Sequence, residues 1–545
     1  MAASACLRER GWASDNDTAA LMGMGYLNLR SYSSLTVMSS SQEEESMAKR
    51  LRTTSALAVV AVMLLSACAS SATTAPPSET GTPAATGTAA ASGTPAASAT
   101  TAPAAAVPTV PTGYAELDQA LTKDSSGKLP FNGKKVTIQV QWTQGELNNF
   151  QASLADFAKA TGITIQVDSV PTSHETVLKS RIEGGSPPDI AQLAQPTPVL
   201  AYAAEGKVID VGPFMNTAAN NNKLNTEHAN TINLVSTGTK VWGIPYKADV
   251  KSVVWYPIKA FAAKGYKVPT TWDELIALSD QIVKDGSNPW CISAGGPGDA
   301  TGWQITDWVE EVVLKTKGLD YYNQWINHQV TFEDQGIKDA FAKVAKIFFT
   351  PNYVYGGNTA IIATDQKTTM DPMFNQNLAA PKCWMQKVPT WYGPDFFPDQ
   401  RASGKPSQYI VGQDVGLFAF PTIDPNQTYV EGSADTMMVL KDRPEVRAVA
   451  EFLSTPQGLQ RWIETGSAIS PNSTTPAAWY AGAYKLSVAA DVVAKAKGIG
   501  FDASDLMPGK VGAGTFWTDS VKWVNDGGTD TDAILKAIDD SWPSH

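Results

Sequence analysis

Apolar Val136, Ile138, Val140 and Trp142 alternate with polar Thr137, Gln139 and Gln141, the period-two pattern of a half-buried strand. The period then changes. Leu147, Phe150, Leu154, Phe157 and Ala158 recur at helical spacing until Gly162 stops them. Ile163, Ile165 and Val167 make a second strand, Val177, Leu178 and Ile182 a helix ending at Gly184-Gly185, and residues 189–193 a third strand leading into a segment over 198–205. A second run starts after Gly243-Ile244-Pro245-Tyr246. It has a strand over 251–256 and a helix opened by the capping box Thr271-Trp272-Asp273-Glu274, running to about Lys284 and stopped by Gly286. Residues 290–293 read as a strand, followed by a Gly-rich turn and helices over 301–317 and 335–349. Further strands are expected over 415–421 and 437–440, and a mostly helical region from Arg443, with Pro444 suited to a first helical turn. Strands alternating with helices predict an α/β fold, a parallel sheet with helices on both faces.

The chain ahead of this core has a different character. Lys49, Arg50 and Arg52 precede an apolar run over 55–65 that is too short to span a bilayer as a permanent helix, and Leu65-Ser66-Ala67-Cys68 closes it. This is the pattern of a bacterial lipoprotein signal peptide. On that reading residues 47–67 are removed and Cys68 carries the lipid that anchors the chain to the membrane, facing outside. Residues 1–46 read as an extension ahead of the true start at Met47. Residues 68–111, almost purely Ala, Thr, Pro, Ser and Gly with one charge at Glu79, read as a disordered linker. The remaining length, about 430 residues, is enough for two domains or one bilobal unit.

Charge and cysteine usage narrow the class. The net charge of −11 lies wholly beyond residue 67, because the first 67 residues carry six basic and six acidic side chains, leaving 36 basic against 47 acidic. An acidic surface disfavours nucleic acid and anionic lipid. With Cys6 and Cys68 set aside, Cys291 and Cys383 remain, 92 residues apart. An exported pair is most simply a disulfide, with two separate buried thiols the alternative. The four histidines, His174, His228, His328 and His545, show no metal-ligand spacing, so neither a metal nor a cofactor is expected. Gly295-Gly296-Pro297-Gly298-Asp299-Ala300-Thr301-Gly302 lacks the Lys-Ser/Thr of a phosphate loop, and there is no Gly-x-Ser-x-Gly nucleophile elbow.

Tryptophan says more, since its 16 copies match 16 Tyr and nearly match 17 Phe. Trp142, Trp242, Trp255, Trp303, Trp308, Trp391 and Trp517 fall where strands end or loops begin. An indole face packs on the C–H face of a pyranose while carboxylates and amides take its hydroxyls. Glu146, Asp189, Gln195 and Asp307 lie close to these aromatics in sequence, with Gln141 and Gln192 beside them. Ligands of open α/β sheets sit beyond the carboxyl ends of strands, where Trp142, Glu146 and Gln195 are expected. Asp189 is a ligand contact or a helix cap. Asp307, Glu310 and Glu311 on one helix offer a glycosidase-like acid pair, whereas the spacing of Asp307 and Glu311 on a shared face is that of a solvated helix surface.

These residues bring out a resemblance to the extracellular solute-binding proteins of carbohydrate ABC importers, particularly the α-glucoside and maltose-type oligosaccharide group. It is carried by Pro187-Pro188-Asp189-Ile190-Ala191, by the run from Tyr246 through Lys251 to Trp255-Tyr256, and by Pro289-Trp290-Cys291 with Ala300-Thr301-Gly302-Trp303 and Thr306-Asp307-Trp308. Pro381-Lys382-Cys383-Trp384, Gly432-Ser433-Ala434-Asp435 and the segment 501–508 extend it. After the second cysteine the chain departs from that group's usual Trp-x-His-Arg-Gln, having Trp384-Met385-Gln386-Lys387-Val388, which leaves the sugar open.

The resemblance implies a two-lobed periplasmic-binding-protein-like fold of type II, with residues 134–246 and about 411–440 in lobe 1, and 250–405 and about 443–545 in lobe 2. Hinge crossovers are expected near 246–250 and 403–411. It further implies a family disulfide between Cys291 and Cys383, and adds Asp435 to the expected sugar contacts Trp142, Glu146, Asp189, Gln195, Trp255, Trp303, Asp307 and Trp308. The protein is then a monomeric receptor with no catalytic role, whose partners are a carbohydrate and the permease subunits. A surface-anchored glycoside-processing enzyme, or the same fold holding a peptide or polyol, are the alternatives.

Overall fold

The computed structural model describes residues 110–111, 113–296, 300–480 and 483–543, which belong to one compact unit. The leader, Cys68 and nearly all of the linker lie outside the described residues. Strands β1 (Lys135–Val140), β2 (Thr164–Ser169) and β3 (Ile190–Leu193) are parallel neighbours in the order β2-β1-β3. Each is followed by a helix, Gln144–Thr161, His174–Glu183 and Pro196–Ala204 in turn. Gly162 ends the first of these helices in the left-handed conformation that glycine adopts most readily. A short hairpin, β4 (Ser236–Thr237) with β5 (Lys240–Val241), leads into two strands in succession, β6 (Ile244–Val250) and β7 (Val253–Pro257).

The second sheet has the order β10-β7-β9-β8, built from β7, β8 (Asn288–Trp290), β9 (Cys383–Lys387) and β10 (Val415–Ala419). The chain then returns to the first sheet through β11 (Val430–Val439), which runs antiparallel to β3 along Thr436–Val439 and antiparallel to β6 along Gly432–Met437. The last strand, β12 (Ile499–Phe501), pairs in parallel with the start of β11.

The apolar cores show which pieces form which lobe. Val136, Ile138, Phe150, Phe157, Ile244, Tyr246, Met437 and Val439 share one core with Val449, Phe452 and Trp462. Trp290, Trp308, Trp325, Phe341, Ala503, Phe516 and Trp523 pack in another. Val250, Val253, Trp255, Val415 and Val430 belong to a third, beside the second sheet. Strand β6 therefore begins in the first lobe's core and ends in the second's, while β11 runs the opposite way. These paired antiparallel strands are the bridge between the lobes.

Several expectations are corrected. The sequence pattern missed β6, because its inward positions include Lys247 and Asp249, both buried and paired with each other. A strand whose buried face is charged does not read as amphipathic. β11 starts seven residues ahead of the expected strand for the same reason, since it carries Glu431 and Asp435, and Val415–Ala419 lies in the second lobe's sheet rather than in lobe 1. The helices Pro444–Ser454 and Gln460–Glu464 pack in the first lobe's core, not the second's. Residues 403–411 are not a hinge: Val411 packs with the second lobe, and the chain crosses back along β11.

No helix among the described residues is long and apolar enough to cross a membrane. Cys291 and Cys383 are joined in a disulfide that ties the end of β8 to the start of β9. It closes a 92-residue separation, so the loop-entropy model gives a stabilisation of about 4–5 kcal/mol. Cys291→Ser/Cys383→Ser is expected to lower the unfolding free energy by about 2–5 kcal/mol in urea denaturation, and an unchanged midpoint would contradict this.

Candidate functional site

Beyond the carboxyl ends of β1 and β3 a cleft of about 320 Å³ opens between the lobes, at the lower end of the roughly 300–1,000 Å³ usual for small-molecule sites. One wall is Gln141, Trp142, Thr143 and Glu146 after β1, with His174 and Gln195. The other wall is Trp303, Gln366, Lys367, Trp391, Phe396 and Trp517. The floor is the β6–β11 bridge, with Lys247, Asp249, Lys251, Ser433, Ala434 and Asp435.

The floor follows from strand periodicity. Lys247, Asp249 and Lys251 lie two residues apart, and so do Glu431, Ser433 and Asp435; Lys247 and Asp249 share one face of β6, with Lys251 one residue past its end, and the second trio shares one face of β11. The antiparallel register sets Asp435 opposite Lys247 and Ser433 opposite Asp249, while the Lys251 N–H donates to the Glu431 carbonyl at 2.9 Å. Lys247 Nζ contacts Asp249 at 2.5 Å and Asp435 at 3.1 Å. Gln192 Nε2 donates to Asp435 at 2.8 Å while its Oε1 accepts from the Gln141 N–H at 3.0 Å, joining the floor to the end of β1. Burial opposes the charge on Lys247, but Asp249, Asp435 and Glu146 outweigh it and hold the ammonium above its usual range. Burial also pushes the Asp435 carboxyl up, against the pull of Lys247.

A second set of buried charges continues into the lower lobe. Lys251 Nζ lies 2.8 Å from Asp307 and is also paired with Asp502, with Glu431 4.0 Å away. Lys387 pairs with Glu431 at 3.4 Å and Glu311 at 3.8 Å, and Lys315 with Glu311 at 3.4 Å. Burial drives Glu310, Glu431 and Asp505 well above the carboxylate range, toward the neutral form, whereas Lys251 holds Asp502 below it. Asp307, Glu431 and Asp502 bring oxygen atoms within 4.8 Å of one another, the one such acidic cluster among the described residues. The Lys251 ammonium already stands among them, so a lysine meets the charge that a cation would meet.

Of the nine residues expected at the ligand, Trp142, Glu146, Gln195, Trp303 and Asp435 line the cleft. Trp142 is largely core, edge-on to Phe150 and Trp462, and exposes little of its ring. Glu146 faces the cleft; burial, then Asp435, Asp249 and Asp395 against the pull of Lys247, raises its carboxyl to about 8, so it is neutral at pH 7. Burial lowers Lys485 to about 8 in the same surroundings, despite Asp249. Gln195 is only 8% exposed, and its Oε1 has no hydrogen-bond partner among the described residues.

The other four do not line it. Asp189 sits at the amino end of β3, away from the cleft, where it accepts from the Thr137 N–H at 2.8 Å and pairs with Arg443 at 2.8 Å. Trp255 is fully buried, its indole N–H donating to the Val388 carbonyl at 3.0 Å. Trp308, five residues after Trp303, turns to another helix face and packs on Trp290 and Phe420. Asp307 lies beneath the floor, spent on Lys251. Glu310 and Glu311 are buried rather than solvated, and neither they nor Asp307 reaches the cleft.

Sequence reasoning passed over Lys247, Asp249, Lys251, Gln366 and Lys367, and placed Trp391 and Trp517 among the loop aromatics without assigning them to the site. For the floor the signal was present: alternating Lys247, Asp249 and Lys251 inside a run of apolar neighbours is a charged strand face. Trp303 and Trp391 present the accessible indoles, with ring centroids 6.1 Å apart and planes tilted by 55°. Gln366 accepts from the Trp303 indole N–H at 2.9 Å and so fixes that ring.

A two-lobed α/β body with an aromatic and polar cleft over a two-strand bridge defines a ligand-capturing receptor. The profile of bacterial extracellular solute-binding proteins matches residues 142–460, more than half of the chain, and the chain belongs to that family. It is 32% identical over 423 residues to the alpha-glucosides-binding periplasmic protein AglE of Rhizobium meliloti (strain 1021), covering 76% of this chain and 88% of that one. To the osmoprotective compounds-binding protein GgtB of Synechocystis sp. it is 30% identical over 411 residues, covering 75% and 93%. Its fold is similar to that of the bacterial solute receptor AcbH, with a TM-score of 0.61 at 16% identity, covering 75% of this chain and 98% of that one. RafE in complex with raffinose is similar too, with a TM-score of 0.57 at 17% identity and coverage of 75% and 98%.

Lys251→Ala would leave Asp502 and its neighbour Asp307 without their ammonium in the interior, at a cost of about 3–5 kcal/mol. Lys259→Ala removes an exposed partner of Asp414, 2.6 Å away, and is expected to cost less than about 1 kcal/mol. Urea unfolding of both variants checks this, and equal costs would contradict the burial argument.

Proposed function

We propose that this protein captures an α-glucoside, or another di- or oligosaccharide, outside the membrane and delivers it to the permease of an ABC importer, without chemically changing it. The observation that carries this reading is the pairing, in one cleft, of accessible indoles at Trp303 and Trp391 with the half-buried Glu146 and the buried Gln195 and Asp435. The indoles supply apolar faces for sugar C–H groups, and the polar groups accept and donate to hydroxyls. Gln195 Oε1, desolvated and without a partner, gains most from an incoming hydroxyl donor. The neutral Glu146 carboxyl both donates and accepts, which suits an uncharged polyol face. The name of the AglE relative supports an α-glucoside; that of GgtB keeps a smaller osmoprotective solute as the second reading.

The enzyme alternative loses its nominated groups, since Asp307 and Glu311 are held by lysines below the floor. Cys68, as the lipidated residue after the signal peptide, would tether the receptor beside its permease through the linker. Transport function then consists of closure: contacts available only when both walls meet the sugar favour the closed form that the permease reads.

Isothermal titration of residues 101–545 with trehalose, maltose, sucrose and maltotriose is expected to give saturable binding to at least one, with no hydrolysis product in the same samples. Trp391→Ala is expected to weaken that binding on the order of tenfold, about 1.4 kcal/mol. Release of monosaccharide, or affinity indifferent to Trp391, would overturn the reading.

A further inference from the structure

The chain enters the first lobe through a short helix, Ala115–Leu121, soon after the Ala/Thr/Pro-rich stretch over 68–111. Leu117 and Ala120 set that helix into the first lobe's core beside Phe452. Its polar contacts with helix Pro444–Ser454 centre on Glu451, which is fully buried. Glu451 Oε2 accepts from the Leu117 N–H at 2.7 Å. Glu451 Oε1 and Glu116 Oε2 are both shielded from solvent and meet no donor among the described residues, and the two carboxyl groups are hydrogen-bonded to each other. Two carboxyl groups form such a bond only when one of them carries a proton. Glu116 Oε1 turns the other way, 3.1 Å from Arg447, which is also held by Asp442.

We infer that a proton shared between Glu116 and Glu451 latches the first helix onto the first lobe, so that the point where the linker joins the body is a pH-sensitive fastening. Burial, and after it the Glu116 hydrogen bond, raises the Glu451 carboxyl to about 9 in the docked state. Once the helix leaves, Glu451 meets water and returns toward the ordinary glutamate value of about 4.3. The docked state therefore holds the extra proton between those two values. Docking is strongest below about pH 4.3, weakens by up to about tenfold per pH unit as the pH rises, and stops weakening above about pH 9.

The surrounding charges are engaged elsewhere. On the same helix Asp118 accepts from the Gly113 N–H at 2.9 Å, and Lys223 stands over the Tyr114 ring. Asp156 of helix Gln144–Thr161 pairs with Arg461, Lys247 of β6 pairs with Asp435 of β11, and Lys135 of β1 is exposed. His228, bonded to the Ser454 carbonyl at 2.9 Å, is lowered by burial to about 4. A seven-residue helix does not persist alone in water, so release unfolds the segment. Residues 114–121, once free, lengthen the linker by up to roughly 28 Å. The inference stands apart from the sugar assignment and from the state of the cleft, since every group in it belongs to the first lobe.

Hydrogen exchange on residues 101–545 at pH 7.5 and 8.5, above the range in which His228 titrates, tests it. After correction for the intrinsic pH dependence of amide exchange, protection of the amides of 115–121 is expected to fall about five- to tenfold over that unit, while the amides of β1 stay constant. Glu451→Gln supplies an N–H in place of the proton, so its protection at 115–121 is expected not to depend on pH. Protection that is the same at both pH values in the parent, or that falls as steeply in Glu451→Gln, would overturn the inference.

Discussion

Much of the structure depends on two lysines, one in β6 and one just past its end. Lys247 and Lys251 project from the segment that carries the chain between lobes, and each is enclosed by carboxylates drawn from other elements: Asp249 and Asp435 around the first, Asp307, Asp502 and Glu431 around the second. Charges so deeply buried are tolerable only when paired and hydrogen-bonded. The requirement fixes more than one pair. Asp435 must face Lys247, which sets the register of β11 on β6; Asp307 must reach Lys251, which sets how helix Trp303–Lys317 lies beneath the cleft and therefore where Trp303 stands.

The arrangement also divides labour between rigid and movable parts. The bridge is held by backbone pairing and by ion pairs below its surface, so it forms a floor whose geometry does not wait for ligand. The walls, by contrast, meet across the cleft through few contacts, at Thr143 with Lys367, Thr197 with Asp505, and Gly145 against Asp395. Lobes joined by two paired strands and a third crossing over residues 465–483, and touching at these points, are built for hinge closure. A solute bridging Trp303 and Trp391 to Gln195 and Glu146 adds contacts only when the walls are near, the condition for binding to shift the population toward the closed form.

Much of this was legible in the chain and some was not. The opening strand and helix, the capping box at Thr271, and the cleft residues Trp142, Glu146 and Gln195 followed from periodicity and from where ligands sit on open sheets. The misses share a cause. Sequence patterns equate charge with solvent, and here charge is interior: β6 was overlooked, and Asp307 was placed at the ligand or, with Glu311, on a solvated face although both acids are buried. Asp189 failed for a different reason, lying at the amino rather than the carboxyl end of its strand. Lys387 falls in the stretch where the chain departs from its group after the second cysteine. It proves to be one of the interior cations, paired with Glu431 and Glu311, so that departure touches the charge network below the cleft.

Hydrogen exchange on residues 101–545, with and without trehalose, maltose, sucrose or maltotriose, tests the central claim most directly. The account predicts slow exchange for the amides of β6 and β11 in every sample, and added protection on the walls at 142–146, 366–367 and 391–396 with the sugar that binds. Rapid exchange in the bridge strands, or walls that no sugar protects, would contradict it.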